Sequence, residues 1–286
     1  MSVGLLTRDR DGHVRRGSGG QAETPGRVLP PDIGEAMAAY GPRLGVFATD
    51  MTWYSEIGST NDVALVMAER GAGEGTVVGA DLQTAGRGRQ GRQWSSPTGA
   101  GLYVSVVLRP ASGIVPLMTL AAGVAIADGI REASGLTAAL KWPNDVYLSG
   151  RKAAGILAEA GSSDGGVSHV VLGFGINVSE ASYPPDVAER ATSLEREVGR
   201  PVDRGLVLAC CLAALAVRYD QAMTDPRRML ASWRSYAISM LRRPVRCTVG
   251  SRIVTGIAED IDDHGALIVR ADAETVRVIS GEVIWH

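Results

Sequence analysis

The stretch LKWPNDVYLSGRKAAGILAEA, residues 140–160, contains the signals that decide the fold. Two runs rich in apolar and β-branched residues flank Ser149 and Gly150, which is typical of two strands joined by a tight turn. The next apolar run, VSHVVLGFGINVS (167–179), predicts a further strand. Upstream, TVVGADLQ (76–83) and GLYVSVVLRP (101–110) have the same strand-like composition. These runs predict one β-sheet.

Helical patterns alternate with these strands and predict a mixed β-sheet with helices packed on it. They are STNDVALVMAERG (59–71), with Ser59 or Thr60 as N-cap and Gly71 after its end, VPLMTLAAGVAIADGIREASG (115–135), RGLVLACCLAALAVRYDQAM (204–223) and PRRMLASWRSYAISM (226–240). From residue 241 onward five short alternating runs predict a small β-barrel with its own core. The predicted fold class is therefore α+β, with a main domain over 46–240 and a barrel over 241–286.

The first 45 residues are predicted to be a disordered N-terminal extension outside the fold. Residues 1 to about 30 mix charges, Gly and Pro with few apolar positions, a composition that cannot bury a core. Only PDIGEAMAAYGPR (31–43) has a short helical pattern, which is too little for a helix-turn-helix module.

Composition excludes several classes of protein. The 29 Lys and Arg residues balance 31 Asp and Glu residues, so the charge is not that of a nucleic-acid-binding protein. Asp128 interrupts the longest apolar stretch, and no signal peptide is seen, so a cytoplasmic location without a membrane span is predicted. The three cysteines, Cys210, Cys211 and Cys247, lack metal-binding spacing and are predicted to be reduced.

The segment AGRGRQGRQW, residues 85–94, holds three glycines and three arginines and includes the spacing G-x-G-x-x-G. A dinucleotide-binding turn would need a helix opening at the last glycine and an acidic residue about 20 positions later. Neither is present, because no Asp or Glu occurs between residues 92 and 127. Two interpretations remain. The segment is either a solvated basic hairpin tip or a mobile loop whose arginines and backbone N–H groups close over an anion.

Lys141 and Lys152 are the only lysines in a chain with 27 arginines, and both lie next to Asn144 and Asp145. A compact ammonium pairs with one oxygen as a point charge, whereas a guanidinium presents a planar fork. Unless their retention is a coincidence, the two lysines mark positions that need an ammonium group, which arginine cannot replace. Asn144 could read the edge of a base and Asp145 could bind Mg²⁺, although Trp-Pro-Asn-Asp is also an ordinary turn sequence.

Four motifs occur together in one order and spacing: GSTN (58–61), QTAGRGRQGRQWSSP (83–97), LKWPND followed by RKAAGILAE (140–159), and GFGINV (173–178). Their combination resembles the biotin-protein ligase family, and GIAEDIDDHGALIV (256–269) resembles that family's C-terminal domain. The resemblance runs from about residue 46 to the end. It implies a catalytic domain of the biotin/lipoate ligase-like fold, a C-terminal SH3-like β-barrel, and the monofunctional type without an N-terminal DNA-binding domain.

The resemblance implies an ATP-dependent ligase that acts in two steps with Mg²⁺. The carboxylate of biotin attacks the α-phosphate of ATP to give biotinyl-5′-AMP and pyrophosphate. A lysine ε-amine of a biotin carboxyl carrier protein, in an acetyl-CoA, acyl-CoA or pyruvate carboxylase, then displaces AMP. Because the substrate carboxylate is the nucleophile, such an enzyme needs positioning and charge stabilisation rather than a nucleophilic side chain. A homodimer is compatible with this function, which involves neither DNA nor membrane.

Matching positions assign the biotin site. Uncharged donors and acceptors for the ureido group are implied at Ser59, Thr60, Asn61 and Gln83. Arg87, Gly88 and Arg89 resemble the loop that closes over biotin and the adenylate, and Lys152 matches the lysine near the biotin carboxylate and α-phosphate. Arg87 and Lys152 are the catalytic candidates.

The nucleotide site is assigned in the same way. Arg89 and Arg92 resemble phosphate contacts, and Trp94, Asn144 and Asn177 resemble the adenine site, while Asp145 is a candidate Mg²⁺ ligand. Three alternatives remain at this point: a lipoate-type ligase with the same fold, a biotin-sensing transcriptional repressor, and a non-catalytic binding module. The segment GRGRQGRQW with Gln83 favours biotin, and the missing winged-helix pattern before Val46 argues against a repressor. Lys152 with Arg87 and Arg89 argues against a binding module.

Overall fold

A computed structural model describes residues 6–8, 14–16, 29–163, 166–181, 183, 185–250, 252–272, 274–281 and 283–285. Its α-helices are α1 Pro31–Tyr40, α2 Thr60–Glu69, α3 Met118–Ser134, α4 Pro185–Ala188, α5 Leu194–Val198, α6 Arg204–Thr224 and α7 Pro226–Ala237. Its strands are β1 Leu6–Arg8, β2 Val14–Arg16, β3 Met51–Tyr54, β4 Val77–Ala80, β5 Gly101–Leu108, β6 Ala139–Lys141, β7 Asp145–Leu148, β8 Arg151–Ser163, β9 Gly166–Asn177, β10 Pro244–Val249, β11 Arg252–Ile261, β12 Leu267–Arg270, β13 Thr275–Val278 and β14 Val283–Trp285.

A seven-stranded mixed sheet forms the centre of the molecule, in the order β3-β4-β5-β9-β8-β7-β6. The β3–β4 pair is parallel and every other pair is antiparallel. The predicted turn between β7 and β8 is confirmed, because Ser149 (φ 47°) and Gly150 (φ 77°) both have the positive φ that primed hairpin turns require. The predicted α+β class is confirmed, with β6 as a short additional strand.

One face of this sheet is covered by α3 and α6. Along β5, Leu102, Val104 and Val106 point into this layer and are fully buried or nearly so. The residues between them, Tyr103 and Ser105, point to the opposite face, as the two-residue period of a strand requires. The apolar positions therefore separate a large core from the face that carries the polar residues.

By length and composition alone, two helical segments could cross a membrane, Ser112–Ser134 and Arg204–Thr224, so the expectation that Asp128 leaves no apolar stretch of that length is wrong. More than half of each is buried within the protein. Asp128 does not interrupt the first segment, because its carboxylate accepts hydrogen bonds from Arg218 (2.7 Å) and Tyr236 (2.5 Å). These interactions are those of core helices, whose apolar character serves packing against each other and the sheet.

The second face of the sheet is covered by α2. Ala64, Leu65 and Ala68 of the helix pack with Val78 and Val107 of the sheet. Gly71 (φ 91°) follows the end of α2 in the left-handed conformation, as predicted. Helix α2 covers only part of this face of the sheet. Loops and polar side chains occupy the part that lies beyond the first turn of the helix.

The five predicted C-terminal strands are all present and form an antiparallel sheet in the order β13-β12-β11-β10-β14. Strand β11 pairs with β10 through its first half and with β12 through its second, with a bulge between Ala258 and Asp260. A bulge of this kind bends the strand and so curves the sheet. Val245, Cys247 and Leu267 of this sheet are buried in one apolar core together with residues of the main domain, so the prediction of a separate core is wrong.

The C-terminal sheet meets the main domain at the Trp-Pro-Asn-Asp turn. The indole Nε1 of Trp142 donates a hydrogen bond to the carbonyl oxygen of Gly265, at 2.9 Å. Gly265 has a φ of 78°, and a Cβ there would lie 2.8 Å from Leu120 Cδ1. The turn after β11 is thus fitted against the segment that carries Asn144.

The predicted disordered extension, residues 1–45, is too long. Most of residues 1–30 lie outside the described residues, although β1 and β2 pair antiparallel. Helix α1 belongs to the fold, since Ile33 is fully buried and Leu44 nearly so. Asp32 also forms an ion pair with Arg204 of α6, at 2.6 Å. The sequence pattern missed this because only two or three apolar residues in α1 contact the core.

Two truncations are expected to separate the tail from the fold. Removing residues 1–28 leaves Ile33 and Asp32 in place, and we expect the thermal midpoint to stay close to that of the full chain. Removing residues 1–43 deletes α1 and uncovers part of α6, which we expect to cost about 3 kcal/mol or more of unfolding free energy. Denaturant unfolding of both proteins measures the difference. Equal stability of the two truncated chains contradicts the packing role of α1.

Candidate active site

The candidate site lies on the α2 face of the sheet, where two glycines face each other. Gly155 of β8 and Gly175 of β9 are register partners, so their strands carry no side chain at this point. The indole of Trp94 lies over both, because a Cβ would come within 2.9 Å of Trp94 Cζ3 at Gly155 and within 2.3 Å of Trp94 Nε1 at Gly175. The bare backbone at Gly155 and Gly175, which we call the glycine floor, is thus a flat surface on which an aromatic ring such as the Trp94 indole can lie.

One end of this floor is lined by uncharged polar groups at the start of α2. The carbonyl oxygen of the Gln83 side chain accepts from the backbone N–H of Thr60 (2.9 Å) and lies 3.1 Å from its hydroxyl. The Gln83 amide nitrogen donates to Ser96 Oγ, at 2.9 Å. Ser59 occupies the N-cap position and is buried, but its side chain makes no capping hydrogen bond. Gln83 therefore caps the helix in its place.

Asn61 is buried in the same group and uses both ends of its amide. Its Nδ2 donates to Glu159 Oε2 (2.8 Å), and its Oδ1 accepts from the hydroxyl of Ser105 (2.5 Å). The Ser105 hydroxyl also lies 2.8 Å from Thr60 Oγ1. The structure therefore brings together the four predicted ureido-site residues, and it adds Ser105 and Glu159 to them.

The arginine-rich loop, residues 86–93, is the predicted lid, and it is folded against this site. Trp94 N donates to Gly86 O (2.9 Å) and Gly88 N donates to Arg92 O (2.7 Å), so the loop closes on itself as a short hairpin. Positive φ angles at Gln90 (58°) and Gly91 (72°) make its tip. The guanidinium of Arg87 in this loop contacts two carboxylates, those of Asp62 and Glu159.

The next arginine has a different environment. Arg89 Nη1 donates to Asn144 Oδ1 at 3.3 Å, which is a long contact with a neutral acceptor. Burial lowers the pKa of the Arg89 guanidinium, and the charge of Asp145 offsets this only in part. Arg92 is exposed near the same place. A partly buried cation with a neutral partner favours an incoming anion.

Lys152 reaches the floor from β8. Its Nζ lies 2.6 Å from Asp145 Oδ1 and 5.3 Å from the centre of the Trp94 ring. The other lysine, Lys141, donates to Tyr147 Oη at 3.3 Å. Burial lowers the pKa of Lys141, with Asp145 opposing this shift. The predicted lysine, carboxylate and indole are thus adjacent, and the positive end of the site lies opposite its neutral end.

The two asparagines predicted to contact adenine differ in their surroundings. Asn144 is half-buried and donates to Ile156 O (2.9 Å), which leaves its carbonyl oxygen toward Arg89. Asn177 is buried and donates to Thr192 O (2.9 Å), and Thr192 N in turn donates to Lys152 O (2.9 Å). Asn177 therefore braces the backbone of Lys152 from behind.

A protein-only magnesium site is not built around Asp145. Within the described residues, no group of three His, Cys, Asp or Glu side chains could hold a metal ion. The Asp145 carboxylate is already paired with Lys152. The residues present thus do not fit a resident metal, and Asp145 as a Mg²⁺ ligand stays a prediction.

Glu197 fixes the segment that runs beside Lys152, and it gives a pH-dependent prediction. Its carboxylate accepts from Ser149 (2.6 Å), Thr192 (2.5 Å) and Arg151 (2.8 Å). Burial opposes its ionisation, but these hydrogen bonds outweigh burial and lower its pKa. A carboxyl with a lowered pKa stabilises the fold above its unfolded pKa, and that contribution is lost as the pH falls through the folded value.

We therefore expect Glu197→Gln to be less stable than wild type by about 1 to 3 kcal/mol near neutral pH. Below the ordinary pKa of glutamate, about 4.3, the difference should shrink, because the unfolded wild-type chain then binds a proton that the folded chain does not, and it should vanish once the pH has fallen through the lowered pKa of the folded carboxyl. Thermal unfolding of both proteins across this pH range is the measurement. A difference that stays constant down to about pH 3 contradicts the assignment.

Two family models match the chain over the regions that hold this geometry. The model described as Biotin/lipoate A/B protein ligase family matches residues 55–177, and the model described as Biotin protein ligase C terminal domain matches residues 243–285. The first contains the residues of the glycine floor, the lid and α2. The second covers the C-terminal sheet.

Similar proteins extend this result. The biotin--[acetyl-CoA-carboxylase] ligase of Mycobacterium tuberculosis is 38% identical over 240 residues, which cover 80% of this chain and 86% of that protein. The bifunctional ligase/repressor BirA of Bacillus subtilis is 34% identical over 261 residues, covering 89% and 79%. The structure of biotin protein ligase from Aquifex aeolicus in complex with biotin and ATP superposes with a TM-score of 0.71 at 27% identity, covering 83% and 99%. The chain therefore belongs to the biotin/lipoate A/B protein ligase family.

Two residues of the site were missed by sequence reasoning. Ser105 is the single polar side chain in the apolar strand GLYVSVVL, and Glu159 is the acid in the quoted motif RKAAGILAE. Each is an exception to its strand's pattern, which is a usable signal for a site. The partner of each could not be read from the sequence, because both contact Asn61 of α2.

Proposed function

We propose that the chain is a monofunctional biotin-protein ligase, which activates biotin with ATP and transfers it to a lysine of a biotin carboxyl carrier protein. The observation that carries this proposal is the polarity of the site. Thr60, Gln83 and Asn61 form a neutral, hydrogen-bonding end, and Lys152 with Arg89 forms a cationic end across the glycine floor. This arrangement suits a ligand with a neutral polar head and an anionic tail, as biotin has.

The chemistry follows from that placement. The carboxylate oxygen of biotin forms a bond to the α-phosphorus of ATP, and the bond between that phosphorus and the α,β-bridging oxygen breaks, so that pyrophosphate leaves. The Lys152 ammonium supplies positive charge at the α-phosphate, and Arg89 and Arg92 are candidates for the remaining phosphate oxygens. A carrier lysine amine then attacks the acyl carbonyl, and AMP leaves. Each step needs charge and positioning, which the described residues offer.

Trp94 and Asn144 are proposed to line the adenine site, and Arg87 with Gly88 the lid. Because two carboxylates hold its guanidinium, Arg87 is proposed to act in ligand capture, which leaves Lys152 as the catalytic candidate at the α-phosphate. Asn177 is proposed to act there through the backbone of Lys152. The carrier is proposed to be the biotin carboxyl carrier domain of acetyl-CoA, acyl-CoA or pyruvate carboxylase, and the location cytoplasmic without DNA binding. We keep the division into a catalytic domain to residue 240 and a C-terminal domain from 241 as part of this proposal.

Pyrophosphate release in the presence of ATP and biotin tests the proposal directly. The expected result is release that depends on biotin, followed by acylation of a purified carrier domain detected as a mass increase on its lysine. Lipoate in place of biotin is the matched control, because lipoate ligases share the fold. Release that depends on lipoate and not on biotin would assign the chain to the lipoate ligases instead.

A further inference from the structure

Glu159 lies between the lid and the neutral end of the site, and the assignments above give it no role. It stands on β8 four residues after Gly155, on the face of the sheet that meets α2. About a quarter of its side chain is exposed (26%). Its carboxylate is the one described group that contacts both a lid arginine and a residue of the neutral end.

The contact with Asn61 decides how that amide is oriented. A carboxylate accepts hydrogen bonds but cannot donate, so Glu159 Oε2 at 2.8 Å requires the NH₂ group of Asn61 on its side. The Asn61 carbonyl oxygen then faces the Ser105 hydroxyl, at 2.5 Å. The missing side chain of Gly173 makes room for this orientation, since a Cβ there would lie 1.9 Å from Asn61 Oδ1. Without Glu159, the one remaining acceptor for that NH₂ group among the described residues is the carbonyl oxygen of Leu157, at the longer distance of 3.5 Å, so the amide is held less firmly.

The contact with Arg87 fixes the beginning of the lid. Arg87 Nη1 and Nη2 donate to the two carboxylate oxygens of Glu159, at 2.9 and 2.5 Å. This two-point pairing sets the plane of the guanidinium, which a single contact does not do. Asp62 adds one contact, at 2.8 Å from Arg87 Nη2. Arg87 directly follows Gly86, which is buried, so the lid starts from a fixed point.

We propose that Glu159 is a positioning residue that couples the lid to the biotin pocket, through Arg87 on one side and Asn61 on the other. The inference rests on the proposed ligase function. Its consequence is specific: the carboxylate affects capture of biotin and retention of the adenylate, whereas the charge at the α-phosphate comes from Lys152 and is untouched. Loss of Glu159 should therefore change KM and ligand release much more than kcat.

Glu159→Gln tests this with little change of volume, and Asp62→Asn is the matched control. The control removes the other carboxylate of Arg87 without touching Asn61. For Glu159→Gln we expect the KM for biotin in pyrophosphate release to rise about 10-fold or more, with kcat within about threefold of wild type. Release of bound biotinyl-AMP should accelerate by about the same factor as KM rises. Asp62→Asn should stay within about twofold in every measurement, because Glu159 still holds Arg87 at two points.

Three results would overturn the proposal: an unchanged KM for Glu159→Gln, an equal effect of Asp62→Asn, or a loss confined to kcat. If Glu159→Gln does not fold, as judged by its thermal midpoint, Glu159→Asp takes its place. Glu159→Asp keeps the negative charge, but its side chain is shorter by one methylene group, so the carboxylate lies farther from Arg87 and Asn61. The same criteria for KM and for release of biotinyl-AMP apply. Wild type is measured in the same assay, so a wild type without biotin-dependent pyrophosphate release contradicts the proposed function rather than the role of Glu159.

Discussion

Lys152→Arg is expected to lower the rate of biotinyl-AMP formation by about 100- to 1,000-fold, equivalent to about 3 to 4 kcal/mol, while the protein still folds and binds biotin. The Lys152 ammonium lies 2.6 Å from Asp145 and is bordered by Gly155 and the Trp94 ring. A guanidinium is wider than this space and presents its charge as a planar fork. The charge is then displaced from the phosphorus at which it is needed.

Single-turnover measurement of adenylate formation isolates this step from product release. Lys141→Arg is the comparison within the same protein, because Lys141 lies near the same carboxylate but contacts Tyr147. A general intolerance of arginine in this region would slow both variants alike. A wild-type rate in Lys152→Arg would remove Lys152 from the catalytic residues and make the two lysines a coincidence of composition.

Most of the fold could be predicted because its signals are local. The β7–β8 turn is marked by Ser149 and Gly150, and the helices by their apolar periods. Helix α1 was excluded because its burial rests on Ile33 and on an ion pair with Arg204, a residue 172 positions from Asp32. Asp128 was taken as a break in an apolar stretch, since its partners Arg218 and Tyr236 belong to later helices. Pairings over such distances leave no trace in a local pattern.

For the site as well, the sequence predicted which residues take part but not which groups they contact. Motif positions indicated Lys152, Trp94 and Gln83, and the structure brings all three to one face of the sheet. What the sequence could not give was the direction of each side chain. Asn177 stays a prediction for the adenine site, and its hydrogen bond to Thr192 could not be read from the sequence. Arg87 pairs with a carboxylate 72 residues away, a contact that the sequence did not indicate.

The glycine floor gives the second large effect, since Gly175→Ala is expected to weaken binding of biotin and of biotinyl-AMP by about 100-fold or more, equivalent to about 2.7 kcal/mol. The new Cβ would lie 2.3 Å from Trp94 Nε1 and 2.5 Å from Trp94 Cε2. An indole cannot bend away as a flexible chain would, so Trp94 has to leave its place over Gly155. The substitution therefore displaces the indole and weakens the binding of any flat ligand ring that packs on the same glycines.

Gly166→Ala in the same strand is the matched control, because a Cβ there meets nothing within 4 Å. Both variants gain the same stabilisation from a stiffer unfolded chain, about 0.4 to 1 kcal/mol, so the difference between them reports the floor alone. Isothermal titration with biotin gives the affinities, and thermal unfolding shows whether Gly175→Ala remains folded. A folded Gly175→Ala that binds within about threefold of Gly166→Ala contradicts the role of bare backbone at this position, because displacement of the Trp94 indole would then leave ligand binding unchanged.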